Sequence, residues 1–322
     1  MARLTFIETL PSSLEAAVTE FKDGYLVEQS KDPAPAWYSE FGDVGISSEP
    51  KTSIPITSIA AVYTREMGDV AFAKFANGFV EVVQEKFHCG YEFDAYALHN
   101  DKITYSKFQL LPSQLIIAEE NHIARNVASI IENGESLPIK WAGDGITFFS
   151  DNHPVNIGRP SLGVFSNIEK TPTAITIDSI LNQQSKMLCS VMDPTGRNYT
   201  TTGDTLIVPS SQYVAAIALT KQLTVASPGA GSEWRTQHNP LFGMKVIHVP
   251  DLTNELDWYL VNSVLAKIMP CWSALKWTPK GINPIEDNYV KFKNILQIGG
   301  EIWYGFAPGF PHPIRKIKGK VS

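Results

Sequence analysis

Apolar positions recur most regularly between residues 112 and 133. In PSQLIIAEENHIARNVASIIENGE, Leu115, Ala118, Ile123, Val127, Ile130 and Ile131 share one side of a 3.6-residue repeat. Glu119, Glu120, Asn121, Arg125 and Glu132 fill much of the other side. The pattern predicts a helix of about six turns. Pro112 stands in its first turn, and Asn133-Gly134 ends it as a C-cap. A helix of that length spans a domain.

Upstream the pattern is less regular. LPSSLEAAVTEF predicts a short helix capped by Ser12 or Ser13. After it, SKDPAPAWYSEFGDVGISSEPKTSIPI carries Pro33, Pro35, Pro50 and Pro55 with little periodicity. Proline removes a backbone donor and disfavours helix interiors and central strands. With Trp37, Tyr38, Phe41 and Ile54, residues 1–56 read as an extended arm laid on something else, such as a neighbouring subunit. On that reading, removing residues 1–45 leaves a folded subunit that cannot assemble.

Residues 57–105 fit two periods. Phe72, Phe75, Phe79 and Val82 sit at helical spacing, while GFVEVVQEKF fits a strand equally. In GYEFDAYAL, Tyr91, Phe93, Ala95 and Ala97 alternate onto one face. The favoured reading is two strands in a long antiparallel finger, bent at Gly90.

The second half alternates between helix and strand. IDSILNQQSKMLCSV predicts a helix capped by Asp178, and SSQYVAAIALTKQL one capped by Ser210 or Ser211. DTLIVP, GMKVIHVP and DWYLVNS read as strands, and SPGAGS as a loop. NYVKFKNIL and EIWYGFAPG flank Gly299-Gly300 as a predicted hairpin. The class is α+β, with no internal repeat or heptad run.

Composition narrows the function. The 322 residues suffice for one large domain or two to three subdomains. Charged residues are 19% of the chain, as befits a heavily buried oligomeric subunit. A formal charge of −6 argues against free nucleic acid as a partner, since phosphate binding needs clustered Lys and Arg. The one basic run, Arg315, Lys316, Lys318 and Lys320, reads as a frayed, solvated end. Cys89, Cys189 and Cys271 are few, odd in number and far apart, which fits a reducing cytosol and no disulfide scaffold. Glu8 and Glu15 interrupt the place where a signal peptide needs an apolar block, and no apolar run reaches membrane-spanning length.

Candidate chemistry is sparse. FFSDNHPVN, residues 148–156, places Asp151 and His153 two apart on an extended chain, where both can face one ligand. A metal needs three or four convergent ligands, and the other histidines, His88, His99, His122, His238, His248 and His312, are scattered. The turn reading is stronger. Asp151 or Asn152 opens an Asx-turn, Pro154 holds His153 extended, and Phe148 and Phe149 anchor the turn in a core. No Walker loop, GxSxG or GxGxxG occurs, and SPGAGS lacks the Lys-Ser/Thr of a phosphate loop. Trp234, Trp258, Trp272, Trp277 and Trp303 fit a carbohydrate cleft or, more commonly, core and interface anchors. No catalytic, cofactor-binding or metal-binding residue is assigned.

The order of features resembles a known family. A front arm leads to a finger closing in CGYEFDAYAL, then a long helix in AEENHIARNVASIIENGE, then a mixed domain, then a return through NYVKFKNILQIGGEIWYGFAPG. This order is similar to that of tailed-bacteriophage major capsid proteins with the Hong Kong 97-type fold. FFSDNHPVN followed by FSN at 165–167 looks like Mu-type major head subunits. The resemblance implies an N-terminal arm over 1–56 and an extended β-hairpin E-loop over 57–105. It implies a peripheral (P) domain with its spine helix over 106–160 and 286–322, and a mixed axial (A) domain over 161–285. It implies a non-enzymatic icosahedral shell subunit, self-assembled as pentamers and hexamers around double-stranded DNA without sequence-specific contacts. It further implies separate scaffold, portal and decoration proteins, no membrane partner, and assembly in the host cytoplasm into a virion. His153 and Asp151 then brace a backbone. Two rivals stand beside it: an encapsulin-like shell around enzyme cargo, and a metal-dependent hydrolase using Asp151 and His153.

Overall fold

A computed structural model describes residues 12–29, 36–58, 76–136, 139–141, 143–155, 161, 163–190, 202–228, 234–278, 285–290 and 294–320. The front of the chain forms α1 (Ser12–Gln29), α2 (Trp37–Phe41), β1 (Gly42–Ser47), β2 (Lys51–Ser58), β3 (Ala76–Val83), β4 (Glu85–Asp94), α3 (Ala95–Asn100), α4 (Lys102–Gln109) and α5 (Leu111–Glu132). Next come β5 (His153–Pro154), β6 (Val164–Phe165), β7 (Ile168–Thr173), α6 (Ile177–Ser190), β8 (Thr205–Val208), α7 (Ser210–Lys221), β9 (Thr224–Pro228) and β10 (Trp234–His238). The chain ends in β11 (Lys245–His248), β12 (Trp258–Val261), α8 (Ser263–Ala266), β13 (Trp272–Trp277), β14 (Ile285–Val290), β15 (Ile295–Pro308) and β16 (Ile314–Gly319).

Helix α5 matches its pattern. Leu115, Ile123, Val127, Ile130 and Ile131 are buried, and Pro112 stands at its start. Full burial of each Val or Ile contributes about 1.5–3 kcal/mol. The helix ends where expected. Asn133 is the C-cap at φ −93°, so no left-handed residue closes the helix there. Gly134 is required by space, since a Cβ would lie 2.6 Å from the Phe149 ring.

Two sheets flank α5. The first runs β1-β13-β15-β14, with β4 also paired to β15. The second runs β11-β8-β12-β16-β7. Its central strands are buried on both faces. Ile207, Tyr259, Val261 and Ile314 join the core with α5, while Leu206, Val208, Trp258, Leu260 and Ile317 join a separate core with α6 and α7. Double burial explains why TLIV and WYLV read as continuous apolar runs. Strand β13, within 161–285, belongs to the first sheet, and β16, within 286–322, to the second.

The front segment departs from an arm laid elsewhere. Leu14, Ala17, Val18, Phe21 and Tyr25 of α1 pack with Leu98, Phe108, Leu111, Leu115 and Leu296. Tyr38 and Phe41 enter the main core, and the Trp272 indole donates to the Tyr38 carbonyl at 2.8 Å. Helix α1 also runs well past the expected Phe21, because Tyr25 extends its apolar face. The following strands lie at edges among the described residues. Parallel β1 lies at the end of its sheet, and β2, which carries Pro55, pairs there only with β3.

The finger is therefore β2 with β3, in register from Lys51↔Val83 to Ser58↔Ala76. Phe72 and Phe75 lie outside the described residues. Strand β4 passes straight through Gly90 and pairs with β15. Gly90 stands opposite Gly299, and a Cβ on either would crowd the facing backbone at 3.1–3.2 Å. The Tyr91–Ala97 alternation ends at Asp94, whose carboxylate caps α3 by accepting the Tyr96 and Ala97 amides. Gly299-Gly300 is mid-strand rather than a hairpin turn, and β15 instead pairs with β14 across residues 291–294.

Other caps shifted by one or two residues. Thr176, not Asp178, caps α6: its Oγ1 accepts the Ser179 amide while Ser179 Oγ accepts the Thr176 amide. Neither Ser210 nor Ser211 caps α7; they bond His248 and the Glu255 carbonyl. The SPGAGS loop lies largely outside the described residues. The basic tail is not frayed: Arg315 and Lys316 are 5% and 4% exposed in β16.

The 144–155 turn and the candidate assembly surfaces

The turn begins at Asp144, whose Oδ1 accepts the Ile146 amide at 2.8 Å. Phe148 and Phe149 then drop into the main core, as the sequence predicts. Ser150 opens the next turn in place of an Asx residue, its Oγ accepting the Asn152 amide at 3.2 Å. Strand β5 then pairs His153 with Phe165 of β6. The FFSDNHPVN and FSN stretches are thus in direct contact. Asn167 ties them further, since its Oδ1 accepts the Ser150 amide and its Nδ2 donates to the Phe148 and Pro311 carbonyls.

Asp151 and His153 point apart. The His153 side chain is fully buried, with Nδ1 2.7 Å from Asp144 Oδ2 and Nε2 3.2 Å from the Phe148 carbonyl. Phe165 stacks on its ring at 5.3 Å. Asp151 is exposed and pairs with Lys170 at 2.6 Å. The Lys170 hydrogen bond holds the Asp151 carboxyl below its ordinary range. The shared ligand that a hydrolase would seat between Asp151 and His153 has no place here. His153 braces a backbone carbonyl, as the resemblance implies, while Asp151 meets a side chain. Among the described residues, no three His, Cys, Asp or Glu side chains come together as a metal site.

The Trp234 side chain lies outside the described ones; the other four candidate tryptophans do not share a cleft. Trp258 belongs to the core under α6 and α7, Trp272 to the main core, and Trp277 stacks edge-on with Trp303 at 5.1 Å on the first sheet. A cavity of about 460 Å³ lies elsewhere, over the glycine floor of β4 and β15 (Gly90, Gly299 and Gly300), rimmed by His88 and Glu301. Cys89 is exposed there and Cys271 is buried, both as free thiols, and burial pushes Cys271 well up.

Sequence reasoning missed the charged cluster at β16. Arg315 donates to Gln183 at 2.7 Å, to the Ser166 carbonyl at 2.7 Å and to the Ile168 carbonyl at 3.3 Å. Lys316 meets the Glu132 carbonyl and Glu135 at 2.9 Å and Asp257 at 3.3 Å. Burial opposes ionisation of Glu169, yet bonds from Lys186 and Gln183 outweigh it and draw that carboxyl down to about 2. The available signal was the pair Ile314 and Ile317 bracketing the two cations.

Among the described residues three surfaces stand out. At the base of the β2–β3 ribbon Val82 packs with Trp141, Leu275 and Ala307. Among the described residues β1 pairs with β13 on one side only, and its Val44 and Ile46 are 38% and 77% exposed. On α7, only Ala216 and Thr220 are buried while Val214 is 77% exposed. Among the described residues, no helix is long and apolar enough to cross a membrane.

No protein-family model matches the chain, and no curated protein matches it by sequence. Solved structures do. A procapsid subunit of bacteriophage JBD30 superposes with a TM-score of 0.53 at 11% identity, covering 98% of this chain and 77% of that one. A subunit from the capsid of an empty GTA particle gives 0.51 at 11% identity, covering 97% and 100%. The chain has the α+β fold of phage capsid subunits, the Hong Kong 97-type fold, along nearly its whole length.

Proposed function

We propose that this chain is the structural subunit of an icosahedral phage or prophage head, self-assembling into a shell around double-stranded DNA. The observation that carries the reading is the likeness to two shell subunits over almost the entire chain, with no large part left over for another task. In this reading residues 1–56 act as an arm whose α1 and α2 are anchored on their own body, 57–105 as the E-loop whose projecting part is β3 with its partner β2, 106–160 with 286–322 as the P domain, and 161–285 as the A domain.

The work of such a subunit is association. An isolated two-stranded ribbon is marginal in water, so β2–β3 gains from lying on another copy. The open β1 edge and the apolar face of α7 supply further contacts. Each contact is modest, and closure multiplies them through effective concentration and symmetry. Pentamers and hexamers, separate scaffold, portal and decoration proteins, and assembly in the host cytoplasm belong to this reading. So does the absence of catalysis, which the sealed His153 ring supports. The net charge of −6 suits a container that must release its duplex, because a basic wall would hold DNA tightly. An encapsulin-like cargo shell is the same-fold rival; the phage procapsid likeness favours the head.

Expression of the chain with its genomic neighbours, followed by negative-stain microscopy, tests the proposal. Closed shells of uniform diameter are expected. A protein that stays monomeric in every such co-expression overturns it. Nuclease-protected DNA inside the shells separates a head from a cargo shell.

A further inference from the structure

Four buried side-chain atoms lack a hydrogen-bond partner among the described residues: Trp141 Nε1, His312 Nδ1, and both amide atoms of Gln84. They cluster at the base of the ribbon. Trp141 packs with Val82, and Gln84 follows Val82 on the same inward side, since Val83 between them is 56% exposed. Trp141 and His312 are 2% and 7% exposed, so bulk solvent does not reach them.

Such groups are costly. An unsatisfied buried donor or acceptor loses about 1–3 kcal/mol of solvation, and native proteins satisfy nearly all of them. The indole supplies only a donor, and a neutral imidazole one donor and one acceptor. The Trp141 and His312 rings meet edge to face with centroids 5.5 Å apart. Two hydrogen bonds in series through one oxygen span about 5 Å, since each is about 2.9 Å and they meet at an angle. Neither nitrogen bonds the other, since both are without a partner among the described residues, so a shared bridging oxygen rather than a direct N–H···N bond would satisfy the pair. Phe165 at 4.5 Å and Phe310 at 6.3 Å wall in the His312 ring, and neither offers a side-chain polar atom.

We propose that one ordered water sits between Trp141 and His312, accepting from the indole Nε1–H and donating to imidazole Nδ1. The bridge fixes His312 as the Nε2–H tautomer. The Gln84 amide, with a donor and an acceptor both unpartnered, marks a second hydration position under the ribbon. These waters belong to the structure and rivet the ribbon base to the 310–312 segment, in the way buried waters satisfy polar groups elsewhere.

A density map of the full-length protein, at a resolution where other core waters are seen, tests this. A peak within hydrogen-bond distance of both Trp141 Nε1 and His312 Nδ1 is expected, and its loss in a folded His312→Phe variant. A dry contact, a direct Trp141–His312 bond, or a peak that persists unchanged in His312→Phe overturns the assignment. Should His312→Phe fail to fold, Trp141→Phe removes the donor and is read in the same way.

Discussion

The imidazole of His153 lies 2.7 Å from the carboxylate of Asp144, nine residues upstream, and turns away from Asp151, two residues before it. Both members of the close pair are almost wholly buried, with side-chain exposures of 0% and 4%. Breaking a buried pair by removing one partner costs about 3–5 kcal/mol. Asp144→Ala is expected to destabilise the unassembled subunit by that order in denaturant unfolding. Asp151→Ala, at an exposed pair, should change it by about 0.5 kcal/mol or less. Equal effects would show that the turn is held by something other than Asp144.

Helix α1 contributes Phe21, 2% exposed, to a core shared with Phe108 at 5.2 Å. Phe21→Ala should cost about 3–5 kcal/mol. Removal of residues 1–45 should give an insoluble or molten chain, the reverse of what an arm laid on a neighbour predicts. A truncated subunit with a native circular dichroism spectrum and a cooperative melt would show that α1 docks only on assembly.

The ribbon separates folding from assembly more cleanly. Ser53 and Glu81 face each other across it. Replacing residues 54–80 with Asn-Gly closes a short hairpin at that rung and keeps Val82 in its core. The expected product is a folded subunit, within about 1 kcal/mol of the parent, that forms no closed shells by microscopy. Normal shells would remove the ribbon from the assembly mechanism.

Two glycines with different neighbours give a paired test of packing. A Cβ at Gly134 meets the Phe149 ring at 2.6 Å, whereas one at Gly300 meets nothing within 4 Å. Gly134→Ala should lose about 1–3 kcal/mol through overpacking. Gly300→Ala should be neutral or slightly stabilising, because alanine has less unfolded-state freedom to lose. Thermal melts of the two variants side by side read out the difference.

Acid should destabilise the fold in two stages. Burial, with the charge of His153 beside it, draws His312 from 6.5 to about 3. The unfolded chain therefore binds a proton that the folded chain refuses, and stability falls as pH drops from 6.5 towards 3. Glu169 is held at about 2 against an ordinary 4.5, so its contribution is present above 4.5 and is lost as pH falls towards 2. Melting temperature against pH should show both limbs. His312→Phe should flatten the first and Glu169→Gln the second; an unaltered profile in either variant refutes that assignment.

Much of the architecture was legible because it is written in short-range periods. Helix α5 carries its stripe within one stretch of chain, and the doubly buried strands β8 and β12 announce themselves as unbroken apolar runs. Caps were legible only to within a residue or two, because Thr176 and Asp178 are equally good acceptors until the chain direction is fixed. The role of Gly299-Gly300 was misread for a related reason. Two adjacent glycines fit a turn or a close strand crossing, and only the backbone of Gly90 opposite them selects the crossing.

The sequence by itself determined the α+β class, the long helix and the buried Phe148-Phe149 anchor, since each follows from residue type and local spacing. Tertiary structure alone decided that Asp144 is the partner of His153, that α1 docks on its own body, and that Arg315 and Lys316 leave solvent for the interior. The first depends on how the 144–153 turn folds back on itself, and the other two on residues tens to hundreds of positions apart meeting in space. A charge is buried only where distant groups such as Glu169, Gln183 and Asp257 replace its water.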